Sequence, residues 1–266
     1  MTLTTARHEN SAGTVRSSDG TRIGYDRTGS GPPIILVVGA FNDRSTGAPL
    51  ASFLAPNFSV YCYDRRGRGT SGDTLPYAVE RETEDLDALI AEAGGTANVF
   101  GYSSGAILAL KAAAGGLAIR KLALYEAPFS FAGPTVDHAA RLAELIAADR
   151  RADAVEYLQT QCVGIPVELS RQLRNAPFWP ALEAMAHTLV YDMTIVGDGR
   201  LPADLGTSVK QPTLAMDGGE SSAAMRAAAQ AVVHAVHDGQ YRSLPGRNHD
   251  IVPEAIGPVV QEFFAS

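Results

Sequence analysis

The stretch Gly101-Tyr102-Ser103-Ser104-Gly105 decides how the whole chain reads. Before it, Ala97-Asn98-Val99-Phe100 is an apolar run of strand length. After it, Ala106-Ile107-Leu108-Ala109-Leu110 reads as a helix of small and aliphatic residues. A serine at the tip of a sharp strand-to-helix turn stands clear of the backbone, and glycines two residues before and after it remove the side chains that would collide there. Ser103 is therefore the candidate nucleophile. Gly-x-Ser-x-Gly also arises by chance in glycine-rich chains, so the flanking strand and helix are what give the match weight.

The same rhythm extends in both directions. Val15 to Ser17 and Arg22 to Tyr25 flank Ser18-Asp19-Gly20-Thr21, whose central Asp-Gly predicts an antiparallel hairpin. Short apolar strands then alternate with helices: Ile34 to Val38, Val60 to Tyr63, Ala97 to Tyr102, Leu122 to Tyr125, Thr213 to Met216 and Tyr241 to Leu244. Such alternation predicts a mostly parallel, eight-stranded α/β sheet flanked by helices. The helical period supports this. Leu86, Leu89, Ile90 and Ala93 share one face, closed by Gly94-Gly95; Met225, Ala228, Val232, Val233 and Val236 share another; Ile256, Val259, Val260, Phe263 and Phe264 follow Pro253.

Between Pro128 and Thr207 the strands stop. Leu142, Leu145 and Ile146, then Val155 and Leu158, then Leu182, Met185 and Leu189 mark helices there. This predicts a helical cap over residues 128–207, inserted after the sixth strand into a core built from residues 1–127 and 208–266. Phe129, Phe131, Tyr157, Phe178, Trp179, Met185 and Met193 give the insert a large apolar supply. Most are expected in the packing of the cap; Phe41, Phe129, Phe131, Trp179 and Met185 are the candidates for a substrate wall.

Composition narrows the function classes. The 266 residues suffice for a sizeable core, and 22 basic against 29 acidic residues leave a formal charge of −7 with no basic stripe, which disfavours nucleic acid. Cys62 lies in the apolar run Ser59-Val60-Tyr61-Cys62-Tyr63, the setting of a buried unreactive thiol, far from Cys162. His234 and His237, with Asp238 beside them, suggest a metal pair but lack a third convincing ligand, so no metal is expected. The polar start and the absence of any apolar run of about 18 residues predict a soluble, cytoplasmic protein with no membrane partner. A small molecule is the expected partner, and the oligomeric state, monomer or homodimer, is open.

A serine is a poor nucleophile at neutral pH and needs a histidine base oriented by a carboxylate. Among six histidines, His8 lies in the N-terminal stretch, His138 and His187 in the insert, and His234 and His237 on a helix. Only His249, in Gly246-Arg247-Asn248-His249, stands at a strand-to-helix loop. The adjacent Asp250 cannot readily face its neighbour and is expected to begin the final turn.

On these residues the chain resembles the α/β-hydrolase superfamily over nearly its whole length. Asp64-Arg65-Arg66-Gly67-Arg68-Gly69-Thr70-Ser71 fits the family's Asp-x-Arg-Gly-x-Gly-x-Ser residue for residue. It reads as structural, since Asp64 and Ser71 can bond the loop's own backbone, a role that exposed arginines awaiting an acidic partner would leave unexplained. The resemblance implies an oxyanion hole from the backbone N–H of Ser104 and of Ala40 in Gly39-Ala40-Phe41-Asn42, with Phe41 the alternative if that loop is shifted by one. Val38 stands where the family usually has histidine.

The acid departs from the family. Its usual position after the seventh strand holds Ser221, which with Ser222 reads as a helix N-cap. Glu126, Glu220 and Asp217 compete for the role. Glu126 is favoured: it closes the apolar strand Leu122-Ala123-Leu124-Tyr125, and in some branches of the family the acid has moved to this strand, beside the one carrying the nucleophile. A carboxylate there also needs a histidine to offset its desolvation.

A serine rather than an aspartate at the turn disfavours dehalogenase and epoxide hydrolase chemistry. The resemblance implies acyl transfer to water from an ester, thioester or lactone of small to medium, mainly apolar size, without a cofactor. The alternatives on the same fold are a cofactor-free lyase, cyclase or oxygenase, and a ligand-binding protein.

Overall fold

Along the central strands successive side chains point to opposite faces, and this sorts the apolar residues into two layers. The computed structural model describes residues 10–129 and 136–266. Within them one sheet is formed by β1 (Asn10–Arg16), β2 (Arg22–Thr28), β3 (Pro33–Val37), β4 (Ser59–Tyr63), β5 (Ala97–Tyr102), β6 (Ile119–Tyr125), β7 (Thr213–Gly218) and β8 (Gly239–Leu244). Their order is β1-β2-β4-β3-β5-β6-β7-β8. β2 is antiparallel to both β1 and β4, and β3 to β8 are all parallel.

The α-helices among the described residues are α1 (Arg44–Leu54), α2 (Val79–Glu92), α3 (Ser104–Ala114), α4 (His138–Ala147), α5 (Arg151–Tyr157), α6 (Val167–Leu173), α7 (Trp179–Ala184), α8 (Thr188–Val196), α9 (Ala203–Ser208), α10 (Ala223–Ala235) and α11 (Pro253–Ala265). Ile35 and Val37 pack with α2, α3 and α10. Ile34 and Leu36, one residue out of phase, pack with α1 and α11. The sheet is thus covered on both sides, as the alternation of strands and helices predicts.

Element ends follow local chemistry. Ser222 caps α10 by accepting from Met225 N at 3.3 Å, and Gly94 and Gly95, at φ +105° and +90°, close α2. α1 is not foreseen by periodicity; Gly47 and Pro49 interrupt its pattern, but Asp43 caps it by accepting from Ser45 N at 2.8 Å. β6 begins at Ile119, ahead of the expected Leu122, because a register irregularity against β5 carries the exposed Arg120 and half-buried Lys121. β1 and β2 likewise run beyond the apolar residues that announced them, since ladder hydrogen bonds do not require apolar side chains.

Between β6 and β7 lie α4 to α9, with an apolar cluster of their own. Leu142, Leu145, Ala154, Val155, Leu158, Trp179, Ala186 and Leu189 are buried together, and Ala40 and Phe41 from the loop after β3 pack against them. Among the described residues no helix is long and apolar enough to cross a membrane.

Candidate active site

Ser103 sits between β5 and α3 at φ +56° and ψ −129°, a conformation that costs energy for any residue with a side chain. Its surroundings hold it there. Ser103 N donates to Tyr125 O of β6 at 3.0 Å, and α3 begins at the next residue. Both flanking glycines are obligatory in space: a Cβ on Gly101 would stand 2.6 Å from the Ala106 Cα, and one on Gly105 would run into the Val37 carbonyl. Gly39 also backs onto the serine, since a Cβ there would stand 2.7 Å from the Ser103 Cβ.

His249, between β8 and α11, brings its Nε2 to 3.2 Å from Ser103 Oγ. Its Nδ1 lies 3.1 Å from Glu126 Oε2. Glu126 is 1% exposed at the end of β6, and its other oxygen, Oε1, accepts from Gly218 N of β7 at 2.7 Å. The backbone of Glu126, at φ +56°, is pinned to the same strand through a 3.0 Å bond to Met216 O. A buried carboxylate so held has its lone pairs shared between an amide and the imidazole, which is how its desolvation is offset.

The histidine loop is fastened by the residues that precede Ser103 and Glu126. Tyr102 donates its hydroxyl to His249 O at 2.7 Å, and Tyr125 donates to Asn248 O. Burial pushes both phenols well above their ordinary pKa, so they remain donors. Gly218 lies beneath the loop; a Cβ on it would meet the Arg247 and Asn248 carbonyls at 2.5 and 2.6 Å.

The competing acids are elsewhere. Asp217 is fully buried and accepts from Tyr241 Oη at 2.7 Å, with Arg226 Nε at 3.4 Å. Strand alternation turns it away from the histidine. Glu220 is exposed, its backbone N–H donating to Arg247 O at 2.8 Å. Asp250 is also exposed.

Around Ala40 the loop after β3 is held from below. Arg68 Nη1 donates to Gly39 O at 2.6 Å and to Asn42 O at 3.1 Å, and Phe41 takes φ +61°. Ser104 opens α3, where first-turn N–H groups have no intrahelical acceptor. Its hydroxyl donates to Asp192 Oδ1 at 2.7 Å and so is engaged within the protein. Arg65, Arg66 and Arg68 are all at most 2% exposed, which rules out the reading of that turn as a set of exposed cations. Arg65 forks onto Glu82 at 2.6 Å through Nε and Nη2, Arg66 forks onto Asp85 at 2.8 and 2.7 Å, and Arg68 and Arg65 share Asp192. Burial opposes ionisation of Asp192, but Arg68 and Arg65 outweigh it and hold the carboxyl below its ordinary pKa.

These contacts were missed by sequence reasoning, as were Tyr102 and Tyr125. The available signal was Asp192 itself, a carboxylate among Leu189, Tyr191 and Ile195 on a helix with no other charged residue. Of the substrate-wall candidates, Phe129 is 2% exposed within the main core and Trp179 is 3% exposed within the helical cluster, its Nε1 donating to Glu183 Oε1 at 2.7 Å. Both serve packing, because a large aromatic side chain gains most where it is fully enclosed. Phe41 and Met185 are half-buried, and Phe131 lies outside the described residues. Among the described residues no three His, Cys, Asp or Glu side chains gather as metal ligands.

The pattern that defines the Alpha/beta hydrolase family matches residues 34–262. A crystal structure of an alpha/beta hydrolase from Sphaerobacter thermophilus DSM 20745 is 52% identical, covers 95% of this chain and 100% of its own, and superposes with a TM-score of 0.89. The enol-lactonase from Burkholderia xenovorans LB400 shares the fold at 23% identity, covering 96% and 100% of the two chains with a TM-score of 0.70. The uncharacterized hydrolase YraK of Bacillus subtilis (strain 168) is 39% identical over 95 residues, 34% of this chain and 35% of that protein, so the match spans about a third of that curated relative.

Proposed function

The chain belongs to the alpha/beta hydrolase family, and from that premise we propose that it is a serine hydrolase working through an acyl-enzyme on Ser103. The observation that carries the reading is the continuous chain from Ser103 Oγ to His249 Nε2 at 3.2 Å, from His249 Nδ1 to Glu126 Oε2 at 3.1 Å, and from Glu126 Oε1 to Gly218 N at 2.7 Å. Glu126 accepts from Nδ1–H, which leaves Nε2 unprotonated and facing the serine. As Ser103 Oγ attacks the carbonyl carbon, His249 takes its proton, and the carbonyl oxygen gains charge. The N–H groups of Ala40 and Ser104 receive that charge at the N-terminus of α3, whose dipole also favours an anion. His249 then protonates the leaving group, and water, deprotonated by the same imidazole, releases the acid.

The substrate class is an ester, thioester or lactone of small to medium, mainly apolar character. Support comes from the half-buried Phe41 beside Ala40 and the apolar cluster over that loop, with the helices between β6 and β7 acting as a cap. Pre-steady-state hydrolysis of an activated ester such as a p-nitrophenyl acylate tests the mechanism. The expected trace is a burst equal to the enzyme concentration followed by slower turnover, abolished in Ser103→Ala. Turnover that persists in that variant would contradict an acyl-enzyme on Ser103.

A further inference from the structure

Four titratable side chains lie buried in one salt-bridged cluster with no part in the proton transfers: Arg65, Arg68, Glu82 and Asp192. Ion pairs of this kind are weak stabilisers, because desolvation consumes most of their Coulomb attraction. Their connections point to another use. Arg68 Nη1 holds Gly39 O at 2.6 Å and Asn42 O at 3.1 Å, so it grips the oxyanion loop on both sides of Ala40 and Phe41. In a trans peptide the C=O and N–H point in opposite directions. Fixing the Gly39 carbonyl on Arg68 therefore fixes the Ala40 N–H away from Arg68, on a loop so near the serine that a Cβ on Gly39 would stand 2.7 Å from the Ser103 Cβ.

The second donor is tied to the same cluster. Ser104 Oγ donates to Asp192 Oδ1 at 2.7 Å, while Asp192 Oδ2 accepts from Arg68 Nη2 at 2.5 Å. Arg68 Nε reaches Thr188 Oγ1 at 3.1 Å, so Asp192 and Thr188 of α8 both engage it. Phe41, at φ +61°, keeps a costly conformation that needs anchors on either side.

We propose that Arg68 and Asp192 are positioning residues for the oxyanion hole, a buried clamp that orients the Ala40 and Ser104 N–H groups and couples them to α8. The role as an oxyanion device rests on the acyl-transfer reading; the clamp itself does not. Arg68 is suited to it because its planar fork meets two carbonyls and a carboxylate at once, which a lysine cannot do.

The test uses Arg68→Lys and Asp192→Asn in the full chain, with two readouts. The first is amide hydrogen exchange. Residues 39–42 should exchange about tenfold faster in both variants, while β5, β6 and β7 keep wild-type protection. The second is kinetics on an activated ester, normalised to active sites titrated with a fluorophosphonate. Here kcat should fall about 10- to 100-fold with KM within about twofold, since the clamp acts on charge that appears only in the transition state. If either variant does not fold, Ser104→Ala, which deletes a single hydroxyl, should lower kcat several-fold at unchanged KM. Wild-type exchange at 39–42, or wild-type kcat per titrated site, in folded variants overturns the proposal. A loosened loop in a protein whose wild type takes no phosphonate overturns the acyl-transfer reading, and with it the oxyanion role.

Discussion

At the scale of single residues the decisive placement is Glu126. Its carboxylate is 1% exposed and shared between His249 and the Gly218 amide, whereas Asp217 is committed to Tyr241 and Glu220 is exposed. Glu126→Gln keeps the shape but offers an amide that cannot both accept from Nδ1–H and stabilise an imidazolium. Its kcat on an activated ester should drop by about three to four orders of magnitude, with Glu220→Gln within about twofold of wild type. The reverse ranking would move the acid to the loop after β7. The turn at Ser103 was announced in sequence by a glycine on either side with a strand before and a helix after, and the His249 loop by its place between a strand and a helix. Asp192 was not, because Arg68 and Ser104, its partners, lie 124 and 88 residues away in the chain. Only folding brings them together.

Among the elements, the turn after β4 and the β1–β2 hairpin show how loops here are stiffened from within. Asp64 accepts from the Arg44 and Thr70 amides at 3.0 and 2.8 Å, and Ser71 donates to Asp64 O at 2.6 Å. This is the self-bonding that the motif's spacing implied. Its arginines go further: Arg66 reaches Asp19 Oδ2 in the hairpin turn at 3.0 Å and Asp85 of α2. Burial alone would raise the Asp19 pKa, but bonds from Thr21 and the charge of Arg66 lower it to about 2. A carboxyl depressed in the folded state stabilises above its unfolded pKa and loses that contribution as pH falls toward the folded value. Asp19→Asn should therefore lower the urea midpoint by a constant amount from about pH 8 to pH 5, and the deficit should shrink toward pH 3. A deficit independent of pH would show that Asp19 acts by packing or capping instead. Strand ends were harder to read than strand centres for a related reason: Arg120 and Lys121 belong to β6 through backbone pairing, which leaves no trace in hydropathy.

For the molecule as a whole, the parallel sheet was legible because the central strands β3 to β7 are buried and read as short apolar runs, and such runs separated by helical periods admit few other architectures. The antiparallel edge followed from one Asp-Gly turn. The substrate wall was not legible, since burial in a core and burial against a ligand select the same side chains; Phe129 and Trp179 went to cores. What unites the fold is convergence: β5, β6 and the loop after β8 deliver Ser103, Glu126 and His249 to one end of the sheet, and Tyr102 and Tyr125 fasten the last of these to the first two strands. The most direct measurement of that convergence is intact-protein mass after exposure to a fluorophosphonate, on wild type, Ser103→Ala and His249→Ala. The account predicts one stoichiometric adduct on wild type and none on either variant over the same time. An unlabelled wild type, or an adduct that survives in Ser103→Ala, would contradict an activated serine at this turn.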